Sequence, residues 1–167
     1  MKKSALVVAI VLVATAVNPV SAETLSDEKA GIISTNCASL KLQLKRIQKE
    51  SAKSRVHLGA QYESIATNLM MNLNLRLVKN NRANADIASQ QTTFISERDR
   101  FKNDFIGYSQ QLETLINIDC KAEPQKFYDQ LENTRAKRSD VDASIRRLNE
   151  ILDHHRDSLN KLREELE

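Results

Sequence analysis

From Pro124 onward, Leu131, Thr134, Arg138, Val141, Ile145, Leu148, Leu152, His155, Leu159, Leu162 and Leu166 recur at alternating steps of three and four. Three and four residues both come close to one helical turn, so these positions share a single stripe of an α-helix. The residues between them are mostly charged or polar, and the row holds for about five heptads. A helix over 124–166 would reach roughly 64 Å, with Pro124 suited to its first turn. A stripe of that length has to be buried against other long helices.

Two more segments repeat the logic. Over about 85–119, Ile87, Phe94, Phe101, Phe105, Tyr108, Leu112 and Leu115 form one stripe, with Asp86 expected as the N-cap. A row of aromatics can be a cofactor box, but at helical spacing it reads as packing. Over about 34–79, Cys37, Leu40, Leu44 and Ile47 keep heptad spacing, and Ser51 and Ser54 then occupy the seam. Beyond them Leu58, Tyr62, Ile65, Leu69 and Leu73 step mostly by four, a stutter that relaxes a left-handed supercoil. The Ser51–Ser54 stretch, with Gly59 nearby, should be the loosest part of the assembly. With only 3 Gly and 2 Pro in the chain, the tight corners of a sandwich, barrel or propeller are excluded, as are Gly-rich phosphate loops. The expected fold is all-α, an elongated antiparallel three-helix coiled-coil bundle forming one domain over 23–167.

The Asn-rich cluster from Lys79 to Asn84 marks the turn between the first two segments. Cys37 and Cys120 are symmetric about a point a few residues earlier, which mispairs them by about 9 Å along the axis. An irregular end at Ile118–Cys120 would absorb the difference. The rival geometry is one unbroken helix over 34–119, which would force the two cysteines to pair between chains.

Lys2 and Lys3, the apolar run Ala5 to Val17, and Val20-Ser21-Ala22 have the layout of an export signal cleaved after residue 22. Asn18 and Pro19 stop the apolar run short of a membrane span. An even number of cysteines bound for an oxidising compartment favours a Cys37–Cys120 disulfide. Of 25 Lys and Arg, removal of Lys2 and Lys3 leaves 23 against 22 acids, a charge of +1. The two signs alternate along the helices, which argues against a nucleic-acid partner.

Chemistry is sparse. His154 and Asp157 share a helix face, but the remaining ligands of a closed metal site are missing, and His155 falls on the seam. Ser26 to Lys29 and Ser158 to Lys161 match the Ser-x-x-Lys pattern of penicillin-interacting enzymes, without the companion Lys-Thr-Gly. Arg138 on the seam reads as a register or pairing residue. No catalytic, cofactor or metal residues are assigned, and an enzyme is not expected.

Ile118-Asp119-Cys120, Pro124 and Phe127, followed by Leu131, Arg135 and Arg138 and preceded by Phe101, Phe105, Tyr108, Leu112 and Leu115, carry a resemblance. Over about 70–140 the chain resembles uncharacterised small secreted helical proteins of candidate phyla radiation bacteria. The first segment matches only in its early cysteine. The resemblance implies a secreted, disulfide-bearing helical protein and adds no mechanism.

The expected function is an exported, non-catalytic coiled-coil protein that presents a helical surface to a protein partner of the cell envelope. A holdase-like chaperone and a non-catalytic activator of a cell-wall hydrolase are the alternatives. No nucleic acid and no membrane span after signal cleavage are expected. Heptads also drive association between chains, so a homo-oligomer stays open.

Overall fold

A computed structural model of the chain describes residues 25–165; the expected signal over 1–22 and Leu166 of the seam lie outside the described residues. Every regular element in that range is helical. Helix α1 covers Asp27–Ser64, passes through a π-helical segment, Ile65–Met71, and continues as α2, Asn72–Lys79. Helix α3 spans Ala85–Asn117 and α4 spans Pro124–Glu164. Three helical rods result, and α3 and α4 share most of the packing, with α1 laid more loosely on both.

The first rod begins earlier than its apolar row. Ser26 caps it, its hydroxyl accepting from the Lys29 N–H at 3.4 Å, and Asp27 and Glu28 sit in the positive first turn. The cap starts the helix nearly three turns before Cys37, and Ile33 already packs against the core within that stretch.

Its π segment answers the four-residue steps. On a regular α-helix each such step rotates about 40° off the seam, and a wider turn cancels that drift. Tyr62, Ala66 and Met70 therefore stay in line, at 5%, 0% and 1% exposure. Leu69, expected on the seam, is displaced outward to 63% exposure. Ser54 also turns out to solvent, whereas Ser51 stays half-buried.

The rod ends where the asparagines stand. Asn81 takes the left-handed conformation (φ 52°), Arg82 N–H reaches Leu77 O at 2.9 Å, and Asn81 N–H reaches Val78 O at 3.1 Å. That is a Schellman closure, with Asn supplying the positive φ. Asn84, not the expected Asp86, then caps α3 by accepting from Ile87 N–H at 3.1 Å. The single helix over 34–119 is thereby ruled out.

Contacts between the rods run in order: Cys37 against Cys120, Ser51 against Tyr108, Tyr62 against Phe101, Asn74 against Gln91. The cysteine Cα atoms are 5.5 Å apart, at disulfide distance within one chain. The expected 9 Å mismatch is spread along the register, the pairs drifting step by step from Asn74 to the cysteines, and local changes of rise supply part of it. Ile118 is extended (ψ 137°), advancing about 3.3 Å rather than 1.5 Å, and the π turns shorten the first rod. Asp119 then folds the connection by accepting from the Lys121 and Ala122 N–H groups at 3.0 and 3.3 Å. Ser34 donates to Lys121 O at 3.3 Å and Leu25 N–H to Gln125 Oε1 at 2.9 Å, which ties the start of α1 to this end.

The core is an edge-to-face aromatic ladder. Tyr62 meets Phe101 at 5.4 Å between centroids, Phe101 meets Phe105 at 5.7 Å, and Phe105 meets Tyr108 at 5.9 Å. Of the predicted seam, Phe101, Phe105, Tyr108, Leu112, Val141 and Leu148 are buried, while Leu131, Ile145, Leu152, Leu159 and Leu162 are half-buried. Arg138 departs from expectation: the guanidinium is exposed at the rim of a cleft, where it avoids the cost of burial.

Candidate functional site

Among the described residues several clefts open between the rods, and two of them bear on function. The first lies at the serine stretch of α1, where small side chains leave a space of about 500 Å³. Phe105, Tyr108, Val141 and Ile145 floor it, Ser51 and Ser54 open it, and Arg46, Glu50, Arg138 and Asp142 rim it with both signs of charge. The position agrees with the loose stretch expected from Ser51 and Ser54. Glu50 has its carboxyl held below the ordinary range by a hydrogen bond from Lys53, 3.0 Å away, and by that ammonium's charge.

The second cleft, about 570 Å³, lies between the π segment and α4, lined by Ile65, Leu69, Met70, Leu73, Leu152 and His155 among others. Behind it runs a polar chain linking α3 to α4. Ser158 donates to Asp86 Oδ2 at 2.7 Å, and Gln90 Nε2 donates to the same oxygen at 2.9 Å and to Ser158 Oγ at 2.8 Å. Gln90 Oε1 faces His155 Nδ1 at 3.0 Å. A carboxylate only accepts, so it orients the Gln90 amide nitrogen toward itself and leaves the amide oxygen for the ring. His155 therefore carries its proton on Nδ1, and Nε2 takes none of the described hydrogen bonds. Asp86, expected as a cap, works instead as the anchor of this chain.

Burial holds the His155 pKa below the ordinary histidine value, with the Asp86 charge opposing. The folded protein thus resists a proton that the unfolded chain accepts near pH ~6.5. This contribution to stability is complete above that pH and is lost as pH falls below it toward the lower folded value. Thermal melts at about pH 8 and about pH 5 should show a larger drop in Tm for the native chain than for His155→Gln. Equal drops would show that the ring is not the group responsible.

A second polar chain crosses the middle of α3 and α4. Arg147 Nε donates to Glu97 Oε1 at 2.6 Å, Arg147 Nη2 donates to Ser144 Oγ at 2.9 Å, and Ser144 donates to Asp104. Ser144 is fully buried and Glu97 is 9% exposed. These residues were not singled out from the sequence, because each lies among alternating charges that resemble a solvated face. The usable signal was Glu97 at a step of three from Phe94 and four from Phe101. A satisfied polar chain of this kind specifies the register of the pair.

Both Ser-x-x-Lys serines have structural partners: Ser26 caps α1 and Ser158 binds Asp86. His154 and Asp157 line a shallow surface hollow beside Asp86, and among the described residues no group of three or more His, Cys, Asp and Glu side chains is placed to hold a metal ion. Among the described residues no helix is long and apolar enough to cross a membrane. No family model, curated protein or solved structure matches the sequence.

Proposed function

We propose that this is an exported, non-catalytic interaction protein: an antiparallel coiled-coil bundle, one domain after a cleaved signal, that holds an envelope protein in the cleft of its first rod. The cleft over Ser51 and Ser54 is the observation that carries this reading. Its floor is apolar and its rim carries Arg46, Glu50, Arg138 and Asp142, so it suits apolar side chains flanked by charge, as one face of an amphipathic helix supplies. The paired cysteines favour an oxidising compartment, and the resemblance to secreted helical proteins of candidate phyla radiation bacteria points the same way. The buried polar side chains are engaged with one another, which leaves them to support the bundle rather than to converge on a substrate.

A photo-crosslinking side chain at Ser54, in the cleft, and one at the exposed Glu113 of α3 provide the test in the native compartment. One dominant envelope protein captured from position 54 and not from 113 is the expected result, and a cell-wall hydrolase in that place would make the protein an activator. Capture of many partly folded exported proteins would favour the holdase reading instead. Equal capture from both positions would overturn the role of the cleft.

A further inference from the structure

At the tip far from the cysteine pair, the first rod is apolar over more of its surface than the bundle covers. Met70 is buried, and Leu73 faces Leu152 and Leu159 across the second cleft. Met71, Leu75 and Val78 stand 40%, 62% and 62% exposed. At about 100° per residue, these three fall within an arc of about 60°. Between Ser64 and Ala85 the chain has no acidic residue, while Arg76, Lys79 and Arg82 are exposed, and none of the described salt bridges engages them. Helix α4 ends at the same tip, where Lys161 and Arg163 stand against Glu164, Glu165 and, in the sequence, Glu167, so this end adds no positive charge to that of α2.

An outward apolar stripe edged by uncompensated cations is the make-up of a helix that lies in a lipid–water interface. We propose that α2 docks the tip of the bundle onto an anionic lipid surface, with Met71, Leu75 and Val78 entering the acyl boundary and Arg76, Lys79 and Arg82 at the headgroups. A second copy meeting this face about a twofold axis would bring the two sets of cations together, which like charge opposes. Leu25 is bonded to Gln125 at the opposite end, and the rod from Asp27 to Lys79 is about 80 Å long, so the stripe lies far from the start of the described residues. The proposal goes beyond the protein-partner reading and stands whether or not that reading holds.

The chain has no tryptophan, so Leu75→Trp puts a lone reporter in the stripe and Ile32→Trp puts one near the cysteine end. The full chain with either change is titrated with vesicles of phosphatidylcholine, and with vesicles of equal parts phosphatidylcholine and phosphatidylglycerol. Emission from position 75 should shift to the blue with the anionic vesicles alone, and emission from position 32 should not move. In flotation of the otherwise unaltered chain, Arg76→Gln, Lys79→Gln and Arg82→Gln together should weaken binding roughly a hundredfold. Leu75→Asn with Val78→Asn should weaken it at least about tenfold, and both positions are exposed enough for the fold to persist. No shift with either vesicle, an equal shift at both positions, or binding indifferent to these substitutions would overturn the proposal. So would a shift that grows with protein concentration in the absence of lipid, which would mark a contact between copies.

Discussion

Removing the Cys37–Cys120 link, by Cys37→Ser with Cys120→Ser, should cost about 4–5 kcal/mol of stability, because the two residues close a loop with a sequence separation of 83. The chain-entropy argument puts this loss in the unfolded state, which gains the freedom that the link denied it. The folded state adds a local effect. Of all α1, only Tyr62 is buried, so the helix N-terminal to it is held chiefly by the link and by half-buried Leu40, Leu44 and Leu58. Once the link is gone, hydrogen exchange should rise first over the N-terminal half of α1, while α3 and α4, which pack on each other, keep their protection. Denaturant melts measure the global loss, and exchange followed by mass spectrometry locates it. Uniform loss of protection in all three rods would contradict this account of how α1 is held.

Phe101→Ala should cost about 3–5 kcal/mol, as large as any single truncation here. Phe101 is 0% exposed and sits in the aromatic ladder between Tyr62 and Phe105, so its removal strips contacts from both the first rod and α3. It is also the point where α1 is best anchored, which means the surrounding side chains cannot close the space without moving that rod. Val56→Ala, on the first rod and 66% exposed, should change stability by no more than about 0.5 kcal/mol. Melts of the two variants side by side read the contrast, and comparable losses would show that the ladder is not the core.

Both effects fall on residues whose part could be read in advance. The cysteine pairing and the aromatic stripe follow from residue type and spacing: an even cysteine count, and Phe101, Phe105 and Tyr108 on one helical face. The same holds for three helical segments, for a turn at Asn80 to Asn84, and for a loose place at Ser51 and Ser54. These are properties of a period and of local backbone preference, and neighbours in sequence are enough to express them.

Other features answer to contacts between rods. Spacing put Leu69 on the seam, yet the π turn places Ala66 and Met70 there, because the backbone widened its turn to keep an uninterrupted face against α3. Asp86 had the chemistry of a cap but lies where Ser158 and Gln90 need an acceptor, and Asn84 caps in its place. Glu97 and Ser144 look like surface residues until α4 lies across α3 and buries them as partners of Arg147. Arg138 keeps the period of the seam, but the cleft opens beside it and lets its charge reach water. Helical period and the turn were therefore determined by the sequence alone, since a period states which residues share a face. Which of those faces is covered, which polar groups are enclosed and which apolar residues remain outside was decided only by the packing of one rod on another, since burial is a relation between distant parts of the chain.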